Sequence, residues 1–186
     1  MPESNPAGPQ AVTPVTFTFQ PDGLLPNNPE LPAVLYPGVL IDQPDRTEQI
    51  FNSNGWLNSW VNGVFPYHHY HSNAHEVLGV VSGSASLQLG GDAGRTVQLS
   101  AGDVVVLPAG TAHKKLSASP DFRIAGAYPG GMDYNTRQAN PDDFTAALPE
   151  IREVPLPEQD PVFGKDGPLL NLWKPKQKNK IILTDE

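Results

Sequence analysis

The sequence predicts an all-β sandwich or barrel with short flanking helices and extended arms. Two observations carry that fold class. From about residue 61, short strand-like runs alternate with turn signals every ~8–12 residues, the texture of a layered or closed β-domain. The 186 residues also fit one domain and suffice to bury a real core. A third observation concerns chemistry: all five histidines fall within residues 63–83 and 102–117. The organisation expected is an arm over 1–32, a β-domain over 33–173 with its core at 60–130, and a tail over 174–186.

Residues 1–37 hold nine of the 21 prolines, so little of this segment can enter a central sheet. Within it, Thr16–Gln20 reads as a short edge strand and the rest as an extended arm. Ala33–Tyr36 and Gly38–Ile41 read as strand pieces split by Pro37. Asp45–Phe51 reads as a short helix, stopped by Asn54-Gly55. Seven strands follow: Gly63–His71, Glu76–Val81, Ser84–Leu89, Thr96–Leu99, Val104–Leu107, His113–Ala118 and Phe122–Tyr128. Turn residues separate them, among them Ser82-Gly83, Gly90-Gly91-Asp92 and Pro108-Ala109-Gly110. Asn140-Pro141-Asp142-Asp143 opens a helix with a side-chain cap, a proline where no N–H is needed, and acids at the positive end. That helix is expected to stop near Leu148. Residues 160–168 read as a loop leading to Leu169–Trp173, and the lysines at 174–180 as a solvated tail. Trp56, Trp60 and Trp173 read as packing residues.

Composition excludes several classes of function. There is no cysteine, so disulfides and thiolate metal sites are impossible. A net charge of −8 argues against a nucleic-acid surface, which needs clustered cations, and against an anionic membrane. No run approaches the ~18 apolar residues of a membrane span. Met1-Pro-Glu-Ser-Asn-Pro6 lacks the basic start and apolar stretch of a secretory signal. The expectation is a soluble, cytoplasmic protein whose partner is a small molecule.

Imidazole and carboxylate are therefore the strong metal ligands at hand. On a strand, residues i and i+2 point the same way, which sets His69 and His71 on one face with backbones ~6–7 Å apart. A short turn brings Glu76 back on the adjoining strand, and His113 arrives from a distant one after Pro108-Ala109-Gly110. These four residues are the expected ligands of one divalent ion, either Fe, Mn, Ni, Zn or Cu. Parity adds Phe65 and Tyr67 to the face of His69, Leu78 and Val80 to that of Glu76, and Lys115 and Ser117 to that of His113. Tyr67 and Lys115 are the candidate catalytic groups. His68 and His75 fall on the opposite face and are assigned to an outer surface or a subunit contact.

Two motifs give these residues a family context. Gly63, His69, His71, Glu76 and Gly83 form one; Gly102, Pro108, Gly110 and His113 form the second, with Ser117 where an asparagine is usual. Both resemble the two motifs of the cupin superfamily. Leu25-Pro-Asn-Asn28, His68–His71 with Ala74–Leu78, and Pro161–Gly164 with Gly167–Leu170 resemble single-domain, YjlB-like cupins. The resemblance implies a double-stranded β-helix, or jelly-roll barrel, with one divalent metal near one mouth and a homodimeric assembly. The complete ligand set and the tyrosine-lined cavity point to a small-molecule dioxygenase or related oxidoreductase. A non-catalytic, metal-stabilised binder and a metal-dependent isomerase are the alternatives, because fold does not fix function.

Overall fold

The computed structural model describes residues 8–174. Among them run β1 (Val15–Phe17), β2 (Ala33–Tyr36), α1 (Thr47–Ser53), β3 (Trp56–Asn62), β4 (Glu76–Ser82), β5 (Ser84–Leu89), β6 (Arg95–Ser100), β7 (Val104–Leu107), β8 (His113–Ala118), β9 (Arg123–Pro129), α2 (Pro141–Glu153) and α3 (Pro168–Leu172). The strands form a six-stranded sheet in the order β1-β2-β7-β4-β9-β3 and a three-stranded sheet in the order β6-β5-β8. All pairings are antiparallel. This is the double-sheet jelly roll expected.

Burial explains why some strands alternate in polarity and others do not. Leu78, Val80, Val105, Leu107 and Ile124 point from the large sheet into a core shared with Ala85, Leu87, Leu89, Val97 and Leu99 of the small one. The opposite face of the large sheet, with Val34, Tyr36, Val77, Val104 and Val106, packs on Phe51, Trp56, Val162, Leu169 and Trp173. A sheet covered on both faces needs continuous apolar strands. Hence β7 is an unbroken Val-Val-Val-Leu and fully buried.

The C-terminal cover is fastened by Asp160, which is 0% exposed. Its carboxylate accepts from Tyr36 Oη and from the backbone N–H groups of Val162, Phe163 and Leu169. The N-terminal segment is fastened as well. Asn27 Nδ2 donates to the carbonyls of Gln20 and Gly90, while its Oδ1 accepts from Ala112 N–H. Asn28 Nδ2 donates to Ala109 O. The buried Leu25–Asn28 stretch thus ties directly onto the turn that leads to His113.

Four expectations need correction. Gly38–Ile41 is a turn that buries Val39 and Leu40 and exposes Ile41, because Gly38 takes φ of 66° and Leu40 N–H bonds to Gly102 O instead of a strand. Residues 63–71 are an extended loop with isolated bridges; Pro66 has no N–H to give to a ladder. The strand lies earlier, at β3, where a register shift between Leu57 and Trp60 breaks the period-two pattern. The helix from Asn140 runs on past Pro149 to Glu153, since the proline sits on the exposed side while Ala147 and Ile151 pack beneath. His75 is 1% exposed, not on an outer surface: its Nδ1 accepts from Ala109 N–H and its ring packs on Trp173 at 4.8 Å. The lysine tail lies outside the described residues beyond Lys174.

Replacing Asp160 by alanine leaves three backbone donors and a tyrosine hydroxyl without a buried partner. At ~1–3 kcal/mol for each unsatisfied group, partly relieved by relaxation, the expected loss is about 3–5 kcal/mol. Chemical denaturation read by far-UV circular dichroism checks this; a loss below ~1 kcal/mol contradicts the clamp.

Candidate metal centre

Local backbone structure delivers each histidine. His69 and His113 face each other in an isolated antiparallel bridge, with His69 N–H to His113 O at 3.2 Å and His113 N–H to His69 O at 2.9 Å. Their rings lie 4.1 Å apart. His71 follows two residues later, and its carbonyl accepts from Gly110 N–H at 2.8 Å. Gly110 makes this approach possible: it takes φ of 92°, and a Cβ there would sit 2.7 Å from Asn27 O. Glu76 opens β4 opposite Leu107, and His113 opens β8. The structure brings all four together although 69–71 is a loop and not a strand.

The imidazoles are oriented by what their rear nitrogens touch. His69 Nδ1 contacts Tyr67 O at 3.0 Å, His113 Nδ1 contacts Thr111 O at 3.0 Å, and His71 Nδ1 contacts Asn135 O. A carbonyl only accepts, so each Nδ1 carries the proton. In a neutral ring that leaves Nε2 with a bare lone pair, the state a metal ligand needs. One ligating nitrogen from each ring lies within 4.8 Å of the others. Glu76 lies beside two of these rings: Oε2 is 3.2 Å from His71 Nε2, and Oε1 is 3.2 Å from His113 Nε2.

Charge in this buried group is strongly perturbed. Burial, then the neighbouring His113 and His71, push His69 down to about 3, so it is neutral at neutral pH. For His71, burial opposes protonation, but Glu76 outweighs it and the ring is pushed above its ordinary value. Glu76 is held well below the usual carboxylate range; burial alone would raise it, and His71 and His113 prevail. Tyr128 Oη donates to Glu76 Oε2 at 2.7 Å and accepts from Trp60 Nε1–H at 2.9 Å. Burial and the adjacent carboxylate raise its pKa, so it keeps its proton and remains a donor. Gly126 makes room for this chain of bonds, since a Cβ there would fall 2.3 Å from the Trp60 ring.

These residues fit a divalent cation. Glu76 Oε1 is buried without a hydrogen-bond partner, and the nitrogen facing it, His113 Nε2, has no proton when that ring is neutral. Two lone pairs turned toward each other in a buried pocket are unfavourable alone and are satisfied together by a positive ion. The three buried imidazoles therefore could hold a metal. They open onto a cavity of about 570 Å³ walled by Trp60, Val64, Phe65, Leu78, Tyr128 and Tyr134. Among the described residues, no lysine or arginine lines it.

The remaining candidates lie as follows. Phe65 lines the cavity and is 50% exposed. Tyr67 is 41% exposed, stacked on Phe65 at 5.1 Å and edge-on to His69 at 5.9 Å, and is not part of the wall. Lys115 pairs with Leu87, on the inner face, yet also stays off the cavity wall. A bulge at Leu116 then turns Ser117 to the other face, opposite Ser86, which breaks the parity expected from His113. His68 Nε2 meets the exposed Asp92 Oδ1 at 2.7 Å, away from the cluster. Sequence reasoning missed Tyr128, Tyr134 and Asn135 and treated Trp60 as packing alone. Inward parity along β9, from Ile124 through Gly126 to Tyr128, was the available signal for the first of these.

Comparison with known proteins agrees with this architecture. Residues 58–120 match the family model described as a cupin domain. Over 158 residues the chain is 47% identical to the Bacillus subtilis (strain 168) protein named uncharacterized protein YjlB, spanning 85% of this chain and 95% of that one. Acireductone dioxygenase from Bacillus anthracis, solved with a cadmium ion in its active centre, is similar over 52% of this chain and 64% of its own, with 19% identity and a TM-score of 0.36. The dTDP-6-deoxy-D-glucose-3,5-epimerase RmlC from Legionella pneumophila is similar over 73% of this chain and 92% of its own, with 15% identity and a TM-score of 0.35. With both histidine motifs in place, the domain match and the extended identity to the Bacillus subtilis protein show that this chain belongs to the cupin superfamily, among its single-domain YjlB-like members.

Proposed function

We propose that His69, His71, Glu76 and His113 hold one divalent metal ion, and that the protein is a small-molecule oxidoreductase of the dioxygenase type. The observation that carries the metal reading is the set of three Nδ1–H bonds to backbone carbonyls, which reserves every Nε2 for the cavity. When bound, a redox-active ion supplies electron transfer between an oxygen-bearing substrate and dioxygen. The chain's own residues do the rest. Tyr128 fixes one oxygen of Glu76, and Trp60 fixes Tyr128. Trp60, Phe65, Leu78 and Tyr134 present apolar surface that excludes water and favours a small, largely apolar ligand.

A second reading is favoured by one specific feature. Beyond the ligand set, the titratable groups on the wall are the tyrosines Tyr128 and Tyr134, and the Tyr128 proton is committed to Glu76. A metal-stabilised binder of small molecules needs no more than this. The two readings part on turnover. Oxygen consumption with a small oxygenated substrate, lost on chelation and in His71→Ala, supports the enzyme. Metal removal that lowers the melting temperature while no reaction is ever found supports the binder.

Elemental analysis of protein purified without a metal-affinity column is expected to give about one divalent ion per chain. Protein free of metal that also refuses added ions contradicts the site. Binding must displace the proton that Glu76 holds on His71, whose affinity for it is raised. Loading therefore releases protons, and apparent affinity falls with acidification, starting above the ordinary imidazole value of 6.5. A titration series showing constant affinity from about pH 7.5 to about pH 5 overturns the ligand assignment. Tyr128→Phe removes the donor to Glu76 and is expected to weaken metal binding by about tenfold without unfolding the protein. Unchanged affinity in that variant contradicts the role given to Tyr128.

A further inference from the structure

The three ligand imidazoles are not held in the same way. His69 and His113 each bond a carbonyl two residues back, at Tyr67 and Thr111. Such bonds form wherever the local backbone is extended. His71 bonds Asn135, 64 residues away. Its orientation therefore depends on tertiary docking of a segment outside both histidine motifs.

That segment is fixed by a polar cluster. Asn135 N–H donates to Asn73 Oδ1 at 2.9 Å, and Asn135 Oδ1 accepts from Ser72 N–H at 2.9 Å. Asn135 Nδ2 donates to Ser72 Oγ at 2.7 Å and to Glu150 Oε2 at 3.1 Å. Ser72, 0% exposed, donates its hydroxyl proton to the same Glu150 oxygen. Arg137 ties the cluster to α2: Nε donates to Ser72 Oγ at 2.9 Å, one terminal nitrogen to Asp143 Oδ1 at 2.8 Å, and the other to Glu150 Oε1 at 2.9 Å. Its backbone pairs in both directions with Tyr70. Glu150 thus touches Ser72, Asn135 and Arg137 at once.

We infer that Glu150 and Arg137 are positioning residues for His71, acting on the metal centre through Ser72 and Asn135. The inference rests on the metal reading above. It goes beyond it by giving α2, which supplies no ligand, control over one ligand's direction. The same cluster holds Tyr134, whose ring stacks on Tyr128 at 4.2 Å and meets His71 edge-on at 5.1 Å. Cavity shape and ligand geometry are therefore set together. The ion pairs keep partial solvent access, with Arg137 20% and Glu150 36% exposed, so their share of global stability is modest and loss of this cluster separates from unfolding: the fold survives and the ring loses its anchor.

The test uses the full chain carrying Glu150→Ala, Glu150→Gln and, as control, the exposed Glu153→Ala on the same helix. Zinc affinity is measured by competition with a chelating dye. The expected loss is about 10–100-fold for Glu150→Ala, with Glu150→Gln between it and wild type because an amide keeps one of the two accepting oxygens. The control is unchanged. In metal-free, nitrogen-15-labelled protein, the His71 Nδ1–H resonance is expected in wild type and lost to solvent exchange in Glu150→Ala. A purely structural role lowers the melting temperature and moves neither readout; wild-type affinity together with a retained resonance overturns the inference. Wild-type protein that takes up no zinc sinks the metal reading instead, and the imidazole resonance then decides the positioning role by itself. If Glu150→Ala does not fold, the same two readouts in Glu150→Gln decide.

Discussion

Everything at this site depends on three imidazole N–H groups being occupied from behind. Each Nδ1 proton is claimed by a backbone carbonyl, so the opposite nitrogens gather near one another, and two of them, on His71 and His113, face the buried carboxylate of Glu76. Without a cation the cluster resolves the conflict by protonation, with His71 drawn up and Glu76 drawn down. With a cation, the same lone pairs become ligands. The chemistry follows from which carbonyls the rings can reach.

Those carbonyls are supplied by the fold. The bridge between His69 and His113 joins the loop after β3 to the first residue of β8. The left-handed turn at Gly110 docks against His71 and Asn27. The Leu25–Asn28 stretch bonds that turn from outside, and Asp160 closes the opposite face of the large sheet. The cupin motifs give the clustered donors; segments beyond the motifs give those donors their directions.

Much of this was legible in the sequence, for identifiable reasons. β5, β7 and β8 were read with correct ends because glycine or proline turns bound them, although β7 is apolar throughout and β8 is bulged. The four clustered donors were legible because all five histidines fall in two short stretches, with the spacing that separates His69, His71 and His113 from His68 and His75. β3 was hidden by its bulge, and the loop carrying His69 and His71 was mistaken for a strand because extended backbone alternates side chains whether or not it pairs. The burial of His75 was hidden because its cover, Trp173, comes from nearly a hundred residues downstream. Asn135, Arg137 and Glu150 carry no local pattern at all; their roles exist only once α2 docks on the loop holding Ser72. Short-range periodicity finds ligands and strands, whereas the groups that aim the ligands are set by tertiary contact.

The central claim is that three imidazoles offer their outer nitrogens to one point. X-ray absorption spectroscopy of the metal-loaded protein reads this directly. The account predicts a first shell of nitrogen and oxygen at ~2.0–2.2 Å for a zinc-loaded sample, with the outer-shell scattering of three imidazole rings. A shell of oxygen alone, or scattering from fewer than two rings, contradicts it.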